Sequence, residues 1–129
     1  DFQQVEWATF LKDLDKQTFQ SFAGLGWEAD YPDPQDFLDV LFHSDSDINH
    51  GAYSNPAVDK ILEEARTLKD PQERYRLYSQ AERLIVEDAA WVPMWYTGER
   101  YVLIKPSVQG YRLTPMIVPK LKEVYFSNN

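Results

Sequence analysis

Residues 27–34 read Trp27-Glu28-Ala29-Asp30-Tyr31-Pro32-Asp33-Pro34, which places an indole, three carboxylates and two prolines within eight positions. A loop stiffened by proline and loaded with polar groups suits binding, because a rigid backbone holds those groups where a ligand can meet them. Asp33 precedes a proline and reads as a helix cap. No cap or helix face employs Asp30, so its carboxylate is the first candidate for chemistry. Two acids three residues apart also raise acid–base catalysis or glycoside hydrolysis, which needs carboxyl groups roughly 5–10 Å apart across the scissile bond. Spacing does not establish that separation, and a carboxylate-dependent hydrolase stands as the alternative to binding.

The run Asp45-Ser46-Asp47-Ile48-Asn49-His50-Gly51 begins like a calcium loop, with oxygen-bearing side chains at alternate positions. His50 then occupies the sharp-turn position that such loops give to glycine, and Pro56 stands where the bidentate glutamate belongs, so the run reads as a solvated polar loop. His43 and His50 lie seven apart with no His-Glu-x-x-His arrangement, and no metal is expected. Neither a Gly-x-Ser-x-Gly turn nor a phosphate-cradling glycine loop is present, which leaves acyl transfer and nucleotide chemistry without a foothold. The chain therefore reads as a non-enzyme, with no catalytic residue and no cofactor.

Helices and strands must position these groups. Trp7, Phe10, Leu11 and Leu14 recur at helical spacing opposite Glu6, Lys12, Asp13 and Asp15, predicting a short amphipathic helix. A strand is expected over Thr18–Trp27, delivering side chains onto the loop that prolines keep out of helix. Asp33-Pro34, Asn55-Pro56 and Asp70-Pro71 repeat one grammar, a capping side chain before proline at the first helical position, and Glu73 completes a capping box with Asp70. Val58, Ile61, Leu62, Ala65 and Leu68 stripe the second of these helices, and Leu77, Ala81, Leu84 and Ile85 the third, predicting an antiparallel pair. Residues 91–96 and 101–104 read as a hairpin around Thr97-Gly98-Glu99, with Pro93 at an edge or bulge. Beyond Lys105-Pro106 only Val124–Phe126 offers a further strand, and residues 108–129 are expected to be the least secure part of the fold. Helices alternating with strands make the class α/β or mixed α+β.

Composition bounds the functions open to such a domain. The 129 residues are 43% hydrophobic and 15% aromatic, enough for a core, and the net charge of -8 argues against nucleic acid, whose phosphates need a basic face. Absence of cysteine excludes disulfides and thiolate metal sites, and fits an exported or a cytoplasmic protein equally. No stretch has the roughly 18 consecutive apolar residues of a membrane span, and the first residues lack a basic segment followed by an apolar run.

Read in order, Trp27-x-Ala29-Asp30-Tyr31-Pro32-Asp33-Pro34, Phe37-Leu38, Leu41-Phe42, Asn49, Tyr53-Ser54-Asn55-Pro56, Asp59, Asp70, Arg74, Leu77-Tyr78, Ala81-Glu82, Val92-Pro93, Lys105-Pro106 and Gly110-Tyr111 form a series spanning nearly the whole chain. This series resembles the later part of the extracytoplasmic solute-binding proteins of family 5, the oligopeptide- and dipeptide-binding receptors of bacterial ABC importers. The resemblance implies the carboxy-terminal lobe of a type II periplasmic-binding-protein-like fold, with helices packed on a small mixed sheet. It implies a lobe over residues 1–105, and a tail over 106–129 that returns toward a first lobe absent from these residues.

Such receptors close two lobes on a ligand held through its main chain, much like an added strand. The resemblance assigns Asp30 to the ligand's α-ammonium, Trp27 to a side-chain pocket wall, and cleft contacts to Glu28, Ala29 and Tyr31. It assigns backbone contacts to the loop of Asn49, His50 and Tyr53. It further implies an extracytoplasmic location, periplasmic or as a lipoprotein at the cell surface, with the export signal outside these residues, and an ABC permease as partner. Sugar-, nickel- and haem-binding relatives keep a non-peptide solute open. Half a cleft should bind peptide weakly, and its uncovered apolar surface should favour a homodimer or strand exchange between copies. A structural helical interaction module is the third class, and it would need an exposed apolar helix stripe.

Overall fold

The computed structural model describes residues 3–127. Four helices, α1 (Trp7–Asp15), α2 (Gln35–Phe42), α3 (Pro56–Thr67) and α4 (Pro71–Glu87), precede two short strands, β1 (Val108–Gln109) and β2 (Tyr125–Phe126).

The helix starts follow the sequence closely. Asn55 accepts from the Ala57 amide, and Asp70 accepts from the amides of Gln72 and Glu73, so both satisfy donors that a first helical turn leaves open. At α2 the proline sits one position earlier than expected: Pro34 is the cap residue and Gln35 opens the helix. Asp33 still caps, since its Oδ1 accepts the Gln35 amide at 2.9 Å. Helix α4 ends in a Schellman arrangement, with Ala89 in the left-handed region at φ 53°, its amide on the Val86 carbonyl and that of Ala90 on the Ile85 carbonyl.

A three-residue connector folds α4 back along α3, and among the described elements these two pack most extensively. Val58, Leu62 and Ala65 from α3 meet Leu77, Tyr78, Ala81 and Ile85 from α4, and α2 closes the cluster with Leu41 and Phe42. Trp27, Tyr53 and Trp91 pack around its rim, with the Phe42 ring edge-on to Trp91 at 5.1 Å and to Tyr53 at 6.2 Å. Helix α1 stands apart from this cluster. Leu14 is buried, whereas Trp7 and Leu11 stay exposed, and Phe10 of this helix forms a small aromatic group with Phe19 and Phe22.

Three expectations are corrected. Residues 18–27 are not a strand: no segment pairs with them among the described residues, and Gly24 at φ 92° breaks the extended run. The hairpin over 91–104 does not form either. Its halves are unpaired among the described residues, and Pro93 removes a donor from the first of them. The one sheet among the described residues lies in the segment expected to be least secure, pairing Val108 with Phe126 and Gln109 with Tyr125. Gly110 permits that pairing, since at φ 76° a Cβ there would lie 2.0 Å from the Glu123 carbonyl oxygen. The α/β class stands, but this sheet is antiparallel, not mixed, and the helices pack on one another without touching it.

Candidate ligand-binding site

The loop at residues 27–34 is anchored from beneath by the first turns of α2. The Asp36 carboxylate, 1% exposed, accepts the Asp30 amide at 2.9 Å and the Trp27 indole N–H at 3.4 Å on the same Oδ2. Asp33 receives Arg74 of α4 in a two-pronged pair at 2.6 and 2.8 Å. Arg74 hydrogen-bonds the Asp33 carboxylate and holds its pKa below the ordinary value, while the same bond raises the guanidinium's. Asp39 takes Arg66 of α3 on Oδ1 and the Tyr78 hydroxyl at 3.1 Å on Oδ2. Burial first, and the neighbouring Asp39 charge second, push the Tyr78 phenol up. Arg74 lies over the Tyr78 ring at 4.9 Å, so one charged chain runs from the loop through α4 to α2 and α3.

Asp30 differs from these three acids. It is exposed, and among the described residues its carboxylate has no hydrogen-bond or ion-pair partner, although its amide is held. Tyr31 beside it donates its hydroxyl to Gln35 at 2.7 Å, and burial followed by the Asp36 charge raises its pKa. Glu28 pairs with Arg100 at 3.2 Å, and the Ala29 carbonyl accepts the Ile117 amide at 2.9 Å, so the late part of the chain crosses this loop.

The second expected contact region is built as a separate turn. Asn49 is buried and its amide is fully used: Oδ1 accepts the Tyr53 amide, and Nδ2 donates to the Tyr53 carbonyl at 2.7 Å and the His43 carbonyl at 3.3 Å. Its side chain shapes the loop and keeps no donor for a ligand. The Tyr53 hydroxyl donates to Asp88 at 2.6 Å, and burial pushes that phenol up to about 12. His50 is half-buried, its amide on the Ile48 carbonyl at 2.8 Å. His43 is packed, with Nδ1 accepting the Asp45 amide. Both regions rest on the same helical core through Trp27 and Tyr53, yet no hydrogen bond joins them among the described residues.

No sequence model of a protein family matches the chain. It is 39% identical over 114 residues to the periplasmic oligopeptide-binding protein OppA of Salmonella typhimurium, a match covering 86% of this chain and 20% of that protein. Its fold superimposes on the periplasmic binding protein DppA of Helicobacter pylori, solved with the peptide STSA, with a TM-score of 0.77 and 31% identity over 96% of this chain and 25% of that one. The chain belongs to family 5 of the extracytoplasmic solute-binding proteins. It spans about a fifth of the length of the curated relatives it matches. Another family member, the probable deoxycholate-binding periplasmic protein YgiS of Escherichia coli, is 34% identical over 122 residues, 94% of this chain and 22% of that protein.

Sequence reading missed the supports of the loop at residues 27–34. Asp36 and Asp39 continue the three-residue series begun by Asp30 and Asp33, and both fall on the buried face of α2 with Leu41. That signal was available, since an acid on a buried helix face must be paired or hydrogen-bonded. Arg66, Tyr78 and Arg100 carried none, because their partners lie 27 to 72 residues away.

Proposed function

We propose that the chain is the ligand-contacting lobe of a non-catalytic peptide-binding protein serving an ABC importer outside the cytoplasm, with the importer's permease as partner. The lobe comprises residues 1–105, and residues 106–129 form the tail that returns toward a first lobe. Peptide is captured between two lobes by its α-ammonium and main chain. One observation carries this reading: Asp30 presents an exposed, unpaired carboxylate on a loop whose backbone a buried acid holds fast. A carboxylate so presented gives an arriving ammonium a charge-assisted hydrogen bond as the cleft closes and water leaves. Trp27, Glu28, Ala29 and Tyr31 flank it, and the turn of Asn49, His50 and Tyr53 contacts the peptide backbone. Copies of this chain on their own pair through the exposed apolar surface of residues 92–104.

The test is peptide titration of the complete protein carrying this chain. Asp30→Ala should weaken binding of trialanine roughly tenfold to a hundredfold, the worth of a hydrogen bond to a charged group, and weaken Nα-acetyl-trialanine much less. Equal losses for both peptides would remove Asp30 from this role. A second reading, a bile-acid-like or other non-peptide solute, is favoured by the similarity to a protein named for deoxycholate binding. It predicts that neither peptide binds and that Asp30→Ala leaves solute affinity unchanged.

A further inference from the structure

Three acids on the first turns of the α2 region have different partners. Asp33 is tied to Arg74, which joins the loop to α4, and Asp39 to Arg66 and Tyr78, which join α2 to α3 and α4. Asp36 has no cation within ion-pair reach among the described residues. Its carboxylate is nevertheless as buried as the deepest core residues, and its hydrogen bonds go to the ligand loop, the amide of Asp30 and the indole of Trp27. A buried carboxyl group with no cation is costly to keep, so the donors it does have must matter to the fold or to the site. A core or a helix cap could be completed by smaller or apolar side chains.

The geometry points to Asp36 as the positioning residue of the ligand loop: one buried oxygen aligns the Asp30 main chain and the Trp27 ring, the two groups that would meet the ligand's amino terminus and first side chain. The inference rests on the reading of that loop as ligand-contacting. Three features make the alignment stiff. Asp36 lies in the first turn of α2, where the partial positive charge of the helix start favours its carboxylate. The helix is itself clamped through Asp39 to Arg66 of α3 and to the Tyr78 hydroxyl of α4. On its other side Asp30 runs into Tyr31 and then Pro32, whose ring restricts the backbone before it. Asp36 thus holds the amide end of Asp30, and with it the backbone from which the Asp30 carboxylate extends toward solvent.

This role differs measurably from mere stability. A structural residue, when removed, lowers affinity for all ligands alike through the folded fraction. A positioning residue lowers the preference for a free amino terminus, because only that group uses the Asp30 direction. The measurement is calorimetric titration of the complete protein with trialanine and Nα-acetyl-trialanine, read as the dissociation constant of the acetylated peptide divided by that of the free one. Asp36→Ala should lower the ratio about tenfold, in line with a misaligned hydrogen bond to a charged group. Asp36→Glu keeps the charge but moves the oxygen by one methylene, and it should lower the ratio in the same direction. If the alanine variant does not fold, the glutamate variant decides.

A wild-type ratio in a folded Asp36 variant overturns the inference. Asp30→Ala in the same series separates the two levels. If it collapses the ratio while both Asp36 variants keep it, only the positioning role fails. If Asp30→Ala also leaves the ratio unchanged, the ligand-contact reading fails and the inference goes with it.

Discussion

Residues 27–91 and residues 92–127 follow opposite rules. In the first region every helix buries a stripe against another helix, and Asp33, Asp36 and Asp39 reach arginines or amides on neighbouring elements. In the second, Val92, Met94, Trp95, Tyr96, Tyr101 and Leu103 are as apolar as the core, yet each is more than two-thirds exposed, Leu103 by 92%. Side-chain type is the same in both regions; what differs is whether the chain supplies a surface to bury against. Helices satisfy their own backbone bonds locally and need only a neighbour for their stripe. Extended segments need a partner for backbone and side chains at once.

The largest effect that would break this comparison is a core deletion. Leu62→Ala, at a fully buried position between α3 and α4, should cost about 2–5 kcal/mol in denaturant unfolding of the 129-residue chain. A loss below about 1 kcal/mol would mean that the helical block is not the stable unit.

The Asp33–Arg74 pair sharpens the comparison through its pH dependence. Arg74 holds the Asp33 carboxyl below its ordinary 3.8, so the unfolded chain takes up that proton at higher pH than the folded chain. The stabilisation is complete above about pH 4 and is lost as pH falls through the lowered folded value. Asp33→Asn should therefore cost about 1–3 kcal/mol at pH 7, between the exposed and buried ranges because the pair is partly covered. Its unfolding curve should converge on the wild type's in acid. A gap that stays constant down to acid unfolding would show that the ion pair is not what stabilises this corner.

The smallest effect is expected in the exposed region. Leu103→Ala should change the stability of the dilute chain by less than about 0.5 kcal/mol, as for an uncovered side chain. At high concentration, light scattering of the same chain should show a dimer; monomer alone would count against pairing through residues 92–104.

Much of the helical block was legible in its residues. Asn55-Pro56 and Asp70-Pro71 mark where α3 and α4 begin, and the stripes of Val58, Leu62 and Ala65 and of Leu77, Ala81 and Ile85 name the faces that meet. Asp30 stood out as an acid without a cap or a helix face to serve, and among the acids of residues 27–39 it is the one whose carboxylate has no partner among the described residues. The expected strand at 18–27 and hairpin at 91–104 did not form, since β structure depends on a second segment that no local pattern names. β1 was unexpected for the same reason: its partner lies past a left-handed Gly110, in the tail.

By itself, then, the sequence determined the four-helix grammar, the family of the chain and the acid at the centre of the loop, because capping, periodicity and motif order are local properties written in neighbouring residues. Only the tertiary structure decided that Asn49 spends its amide on its own turn, that the tail crosses Ala29, and that Asp36 lies beneath Asp30. Those facts depend on which side chains the packed helices bring within about 3 Å of one another, and hydrogen bonds of that reach are made by the fold and not by the order of residues.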